Sequence, residues 1–361
     1  MSDAELLALH RELVSIASPS RDEAALRAWL VSFLRAKGLG AEALGDNVFA
    51  VTHGEGRALC LCSHLDTVPA SPGWTRPPLA PTVEDGKVYG LGSNDAKASV
   101  AAMIAALLRL KDRPGAPPLV LALCCQEETG GKGAESLVPH LCGLDAKIAA
   151  AVVGEPTGLE IAVAQKGLLV LELKAAGRAC HAAHARALGV PNPVRALAAD
   201  LLALDSVELG AADPDLGPVT LEPTVLHGGT ARNMLPAQAS CILDVRSNPS
   251  PGHAELVARL RGAVKGELGV LSDRLLPCAV DAEHPLVRAA RAARPEARLF
   301  GSRGVSDWVF FQAAGIAAIK VGPGQTERSH TPDEFVLEKE VIDGARFYEA
   351  LALAWAKEAW R

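Results

Sequence analysis

Two runs constrain the fold of this chain more than any other feature. Ala58 to Ser63 and Leu119 to Cys125 are apolar along almost their whole length, and the helical pattern of Ala96 to Leu110 lies between them. A strand with one face in water alternates polar and apolar residues, so an uninterrupted apolar strand has both faces covered. Such strands alternating with helices predict an α/β fold, a mixed and mainly parallel sheet covered by helices. Asn47 to Thr52 reads as the strand before Ala58, and Ala149 to Val153 and Ile316 to Val321 continue the series. Thr82 to Leu91 reads as a hairpin turning at Asp85-Gly86.

Before the first strand, Leu6, Leu7, Leu13 and Val14 recur at helical spacing, and Ser20 with Glu23 has the spacing of a capping box, predicting a second helix that stops near Gly38. The pattern changes mid-chain. Gly167 to Arg178, Val219 to His227 and Gln238 to Val245 read as strands, with helices over Pro193 to Leu204 and His253 to Lys265. This predicts an inserted α+β domain over residues 166–274 and a discontinuous domain made of residues 1–165 and 275–361.

The formal net charge of −6 argues against nucleic acid and anionic membrane surfaces as partners and leaves a small molecule. The N-terminus lacks the basic start and apolar run of a signal peptide, and no segment approaches the roughly 18 apolar residues of a membrane span, so a cytoplasmic location is expected. The cysteines form no Cys-x-x-Cys pair, which predicts reduced, buried thiols in place of a disulfide scaffold or a thiolate zinc site.

Polar clusters follow the apolar strands: His64 and Asp66, then Glu127 and Glu128, then Glu155, with Asp95 and His330 in further Gly- or Pro-flanked segments. Each alone is as readily a turn or capping residue. Together, imidazole and carboxylate donors without thiolate suit zinc, cobalt or manganese in a catalytic site, and open α/β sheets bind ligands beyond the carboxyl ends of their strands.

His-Leu-Asp-Thr-Val-Pro at 64–69, Tyr-Gly-Leu-Gly-Ser-Asn-Asp at 89–95, Glu-Glu-Thr-Gly-Gly-Lys-Gly at 127–133, Gly-Glu-Pro-Thr at 154–157 and His-Thr-Pro-Asp-Glu at 330–334 resemble the dinuclear zinc family of acetylornithine deacetylase, succinyl-diaminopimelate desuccinylase and glutamate carboxypeptidase. The pattern looks nearest to the acetylornithine deacetylase branch. The resemblance implies a zinc-exopeptidase-like fold, a homodimer, and an inserted domain that serves as dimerisation lid. It implies two divalent metal ions, one held by His64 and Glu155, the other by Glu128 and His330, with Asp95 bridging. Asp66 would orient His64. Glu127 would be the general base, taking a proton from a water activated by the ions and returning it to the departing amine.

In the inserted domain the resemblance gives His181 as donor to the oxyanion, in preference to the nearby His184, and Asn233 and Arg246 as residues gripping a substrate carboxylate. Asp307 could attract a cationic substrate side chain or cap a helix over Trp308 to Ala313. The chain departs from the family at Ala98 and Ser99, where two glycines are usual, which questions the start of that helix. The implied reaction is hydrolysis of a small N-acyl amino acid, foremost N-acetyl-L-ornithine in arginine biosynthesis. The alternatives are succinyl-diaminopimelate or succinylornithine desuccinylation, acetylcitrulline deacetylation, or cleavage of dipeptides. A catalytically silent binding protein is the remaining alternative, and the presence of Glu127 with all five ligand candidates disfavours it.

Overall fold

The computed structural model describes residues 1–54, 56–144 and 147–358. The chain divides into two compact units, one of residues 1–163, 279–300 and 306–361, the other of residues 164–278 and 301–305.

The first unit is built on a mixed sheet whose strands run in the order Glu42–Leu44, Asn47–Val51, Leu119–Cys124, Ala58–His64, Ile148–Val153, Ala317–Lys320, Ile161–Gln165 and Cys278–Ala279, with Leu299–Ser302 also paired to Ile161–Gln165. The four strands from Leu119–Cys124 to Ala317–Lys320 are parallel, and the strands outside them pair antiparallel where Asn47–Val51 meets Leu119–Cys124 and where Ala317–Lys320 meets Ile161–Gln165. Every residue of Ala58–His64 and of Leu119–Cys124 is buried, as their uninterrupted apolar character requires. Asn47–Val51 and Ala58–His64, consecutive along the chain, are not neighbours. Leu119–Cys124 lies between them, because a parallel partner delivered by the helix Lys97–Leu110 enters that position.

Helix Lys97–Leu110 packs against Asp3–Ser15, Glu338–Glu358 and the strands Ala58–His64 and Leu119–Cys124, while Ala24–Ala36 and Lys132–Cys142 pack on Asn47–Val51. Ala98 and Ser99 do not prevent the helix from starting at Lys97, and both are fully buried. The loops that pass Ser99 carry the compensating glycines. A Cβ on Gly154 would lie 2.8 Å from the Ser99 Cβ, and one on Gly322 would lie 2.5 Å from its Oγ.

A small sheet of Thr82–Glu84, Lys87–Tyr89 and Phe335–Leu337 sits beside this core. The hairpin turns at Asp85 and Gly86 with φ of 49° and 72°, the paired left-handed residues of a tight two-residue turn. Its third strand, which sequence reasoning did not anticipate, ties the chain after His330 to the segment leading to Asp95.

Ser20 and Glu23 do not form the expected capping box. Helix Ala24–Ala36 has Glu23 at its N-cap with no side-chain cap bond, and both side chains reach elsewhere. The reciprocal capping box belongs instead to Ser2 and Glu5, at the start of Asp3–Ser15.

The second unit is a four-stranded antiparallel sheet in the order Thr220–His227, Gln238–Ser247, Gly167–Ala176 and Glu267–Leu275. Burial alternates along Gly167–Ala176, and helices Pro193–Leu204 and His253–Ala263 pack on the sheet. Asn192 caps Val194 and Arg195 with its side chain ahead of Pro193, a strong helix start. Sequence reasoning missed Glu267–Leu275, whose exposed Val270 and Leu271 obscure its alternation.

The described cysteines are all free thiols, most of them buried, but Cys142 is exposed and Cys180 partly so. Among the described residues no helix is long and apolar enough to cross a membrane.

His10, on helix Asp3–Ser15, is fully buried with its Nε2 2.8 Å from the Ser93 carbonyl oxygen. Burial pulls its pKa down from 6.5 to about 4. The unfolded chain therefore takes up a proton in that window that the folded chain refuses, and stability is lost as pH falls through it. In urea unfolding between pH 7 and pH 5, the native protein should lose about 2 kcal/mol more than H10Q, which keeps a donor but does not titrate. Equal losses would remove His10 as the source.

Candidate metal centre

Three neighbouring parallel strands deliver most of the centre. The register sets His64 beside Cys124 and Cys62 beside Val153, so the loops carrying Glu127, Glu128 and Glu155 leave the sheet at one level, next to His64. This is the carboxyl edge of the sheet, where open α/β folds place their ligands. Asp95 comes from the loop before helix Lys97–Leu110, and its peptide bond to Ala96 is cis. His330 lies between the short helix Thr326–Arg328 and strand Phe335–Leu337, with its backbone in the left-handed region at φ 61°, a conformation concentrated at functional sites.

Asp95 faces a histidine with each of its oxygens. His64 Nε2 is 3.2 Å from Oδ1, and His330 Nε2 is 3.7 Å from Oδ2. Glu155 Oε1 lies 4.0 Å from His64 Nε2, and Glu128 Oε1 lies 2.8 Å from His330 Nε2. His64, Asp95 and Glu155 offer ligand atoms within 4.8 Å of one another, and so do Asp95, Glu128 and His330. Two three-donor sets of imidazole and carboxylate sharing one aspartate fit a pair of divalent cations with positions left open for water and substrate. Glu127 joins His64 and Glu128 in a further grouping of the same size, which puts it alongside both sets.

The surroundings hold these side chains in place. His64 Nδ1 is 3.0 Å from the backbone oxygen of Asp66, leaving Nε2 directed at Asp95. The Asp66 carboxylate is 3.6 Å from that ring and accepts the backbone N–H of Glu127 and of Glu128 at 3.0 and 3.2 Å, so it holds the turn that presents both glutamates. Glu334 does the same for Asp95, accepting N–H groups from Gly92, Asn94 and Asp95 at 3.1, 2.9 and 2.9 Å. Asn94 donates to Gln325 O and Ser329 Oγ and accepts from Gln325 N, pinning the stretch before His330. Sequence reasoning quoted Glu334 within its motif without a role. Its nearness to His330 was the available signal.

The electrostatics are those of carboxylates gathered in a largely buried setting. Burial, reinforced by the charge of Glu155, raises Glu127 well above the ordinary glutamate range. Burial pushes Glu155 up to about 8, opposed by His64 and reinforced by Asp95. Burial and then Asp95 push Glu334 up to about 7. His330, half exposed, is raised to about 9 by its hydrogen bond to Glu128.

Asp307 is 2% exposed and grouped with the buried thiols Cys62 and Cys124, whose sulfurs are 3.7 Å apart. Its charge adds to those that raise Glu127. It stands at the N-cap position of helix Trp308–Ala313 without a side-chain cap bond, on a segment that buries Trp308 and Phe311 beside it.

His181, Asn233 and Arg246 belong to the second unit. Its exposed strand residue His181 accepts from Ala183 N at 3.2 Å, and Ala182 N donates to Asn233 O at 2.8 Å, so His181 and Asn233 sit on adjoining pieces of backbone. His184 follows on a short helical turn, its ring 5.5 Å from that of His181. Arg246 forks onto Asp244 at 2.7 and 2.9 Å.

The profile of Peptidase family M20/M25/M40 matches residues 60–354, a span that takes in all of this centre. The chain belongs to that family. It is 30% identical over 342 residues to a succinyl-diaminopimelate desuccinylase from Halorhodospira halophila, covering 88% of this chain and 89% of the relative. It is 33% identical over 307 residues to a probable carboxypeptidase from Aspergillus terreus, covering 76% and 68%. Among solved structures, an M20 family metallo-carboxypeptidase from Sulfolobus solfataricus superposes with a TM-score of 0.84 at 18% identity, over 99% of this chain and 100% of that one. As a member of family M20/M25/M40, the chain is a metal-dependent hydrolytic enzyme.

Ligation uses ionised carboxylate and neutral imidazole, so binding divalent cations here expels the protons that Glu155 retains below about pH 8 and His330 below about pH 9. Calorimetric titration with zinc in buffers of different ionisation enthalpy should show proton release at pH 7 that declines as pH rises through about 8 and 9. Zinc uptake without proton release at pH 7 would contradict this electrostatic description.

Proposed function

We propose that this enzyme hydrolyses the amide bond of a small N-acyl α-amino acid whose carboxylate is free, with Glu127 as the proton carrier. The observation that supports it is the pair of donor sets sharing Asp95, with Glu127 beside both. Two divalent cations, zinc in the first instance, would make a water nucleophilic near neutral pH and polarise the substrate carbonyl. His64 and Glu155 would hold one, Glu128 and His330 the other, and Asp95 both.

Glu127 then has two tasks. Beside both donor sets and outside each proposed ligand pair, its carboxylate would accept a proton from the attacking water and hand it to the amine as the C–N bond breaks. Asp66, through the N–H groups of residues 127 and 128, keeps that carboxylate in line. In this reading the second unit serves as lid and dimer contact, supplying His181 as a donor to the developing oxyanion and Asn233 and Arg246 toward the substrate carboxylate. Arg246 would exchange its fork on Asp244 for the substrate.

Desuccinylation of diaminopimelate and removal of a C-terminal residue differ in acyl group, yet in both the amide nitrogen belongs to an α-amino acid with a free carboxylate. That shared feature defines the substrate class. Within it, we place succinyl-diaminopimelate ahead of N-acetyl-L-ornithine. The desuccinylase relative at 30% identity spans 88% of this chain.

Assays with zinc, cobalt or manganese on succinyl-diaminopimelate, acetylornithine, acetylcitrulline, succinylornithine and dipeptides should show turnover on at least one. Converting the best substrate's carboxylate to a carboxamide should cost about 100-fold in kcat/KM, a charge-assisted contact of roughly 3 kcal/mol. Equal turnover of acid and amide would overturn the substrate class. Glu127→Ala should keep its metal while turnover falls about 10³-fold, and near-normal turnover would remove Glu127 from its role.

A further inference from the structure

The loop between the first two helices is stitched onto the centre at every step. Ser18 donates its hydroxyl to Leu65 O at 2.8 Å and its carbonyl accepts Thr67 N at 2.9 Å, while Ser20 N donates back to Thr67 O at 3.2 Å. The Ser20 hydroxyl donates to Asp66 Oδ2 at 2.6 Å. Three residues on, the fully buried Glu23 leaves its own helix uncapped and sends Oε1 to accept the backbone N–H of Gln126 at 3.0 Å.

Gln126 is the residue before Glu127, and its backbone is left-handed at φ 56°, a conformation that is unfavourable for a non-glycine residue unless its surroundings hold it. Three successive N–H groups, of Gln126, Glu127 and Glu128, are therefore each taken by a buried carboxylate: the first by Glu23, the other two by Asp66. The next amides turn back within the loop, Gly130 and Gly131 donating to Glu127 O and Gln126 O. Nothing in the cap geometry of helix Ala24–Ala36 requires a glutamate at its start, because the side chain makes no bond to that helix.

We infer that Glu23, with Ser20 bracing Asp66, is a positioning residue for the general base: it locks the left-handed turn at Gln126 and so fixes the direction in which Glu127 projects. The inference rests on the reading of Glu127 as proton carrier. Glu23 touches neither substrate nor ion in this scheme and acts through the backbone alone. What it must supply is an acceptor oxygen, not a charge. Glu23→Gln retains that oxygen and Glu23→Ala removes it.

The test compares the two variants in the zinc-loaded full chain. E23A should lower kcat about 10- to 100-fold, the scale of a displaced reacting group, with KM and metal content unchanged. E23Q should stay within about threefold of the native enzyme. Wild-type turnover in E23A, or an equal fall in E23Q, would overturn the inference. Should E23A fail to fold, S20A against S20T poses the same question for the Asp66 brace: S20A should lose kcat and S20T should restore it, and no difference between them would count against the clamp. Hydrogen exchange at the amides of residues 126–128 gives a readout independent of activity. It should speed up at least tenfold in E23A and not in E23Q. If the native enzyme turns over no substrate of the class but this exchange pattern is found, the functional reading fails while the clamp stands; unchanged exchange with an active native enzyme sinks the clamp alone.

Discussion

Asp95 has a histidine in front of each of its two oxygens, and much of the first unit is arranged to keep it so. Gathering Asp95, Glu127, Glu128 and Glu155 around two histidines is unfavourable in a buried setting, because like charges in low dielectric repel and burial penalises each. The raised proton affinities of Glu127 and Glu155 measure that cost. Cations between them reverse its sign. An arrangement that is a liability for a metal-free fold is the requirement for a hydrolase that uses two divalent ions.

Backbone amides keep the carboxylates from drifting apart. Glu334 receives three N–H groups from the loop that carries Asp95, and Asp66 and Glu23 together receive three from the turn that carries Glu127 and Glu128. In each case a buried acid outside the donor groupings holds the backbone that presents the acids within them. The three-stranded sheet through Phe335–Leu337 links the Asp95 loop to the far end of the chain, so His330 arrives opposite its partner although it is over 200 residues from Glu128 in sequence.

The parallel core was readable because its strands are apolar throughout, and the ligand candidates were readable because they follow those strands beside Gly or Pro. What could not be read was anything decided between distant segments. Ser20 and Glu23 have the spacing of a capping box, yet Asp66 and the amide of Gln126 compete more strongly for them than the helix does. Strand order could not be read, since Leu119–Cys124 lies between two strands that are consecutive along the chain. Asp307 reads as a helix cap, and it holds the N-cap position yet makes no side-chain cap bond, because the segment turns inward with the buried Trp308. The glycines missing at Ala98 and Ser99 were legible as a departure, but not that Gly154 and Gly322 supply the room.

The central claim is that Asp95 stands between two cations. Anomalous diffraction from zinc-loaded crystals, collected on both sides of the zinc edge, tests it directly. The account predicts two peaks about 3.5–4 Å apart, one beside His64 and Glu155 and the other beside Glu128 and His330, with Asp95 reaching both. A single peak, or zinc bound away from Asp95, would contradict it.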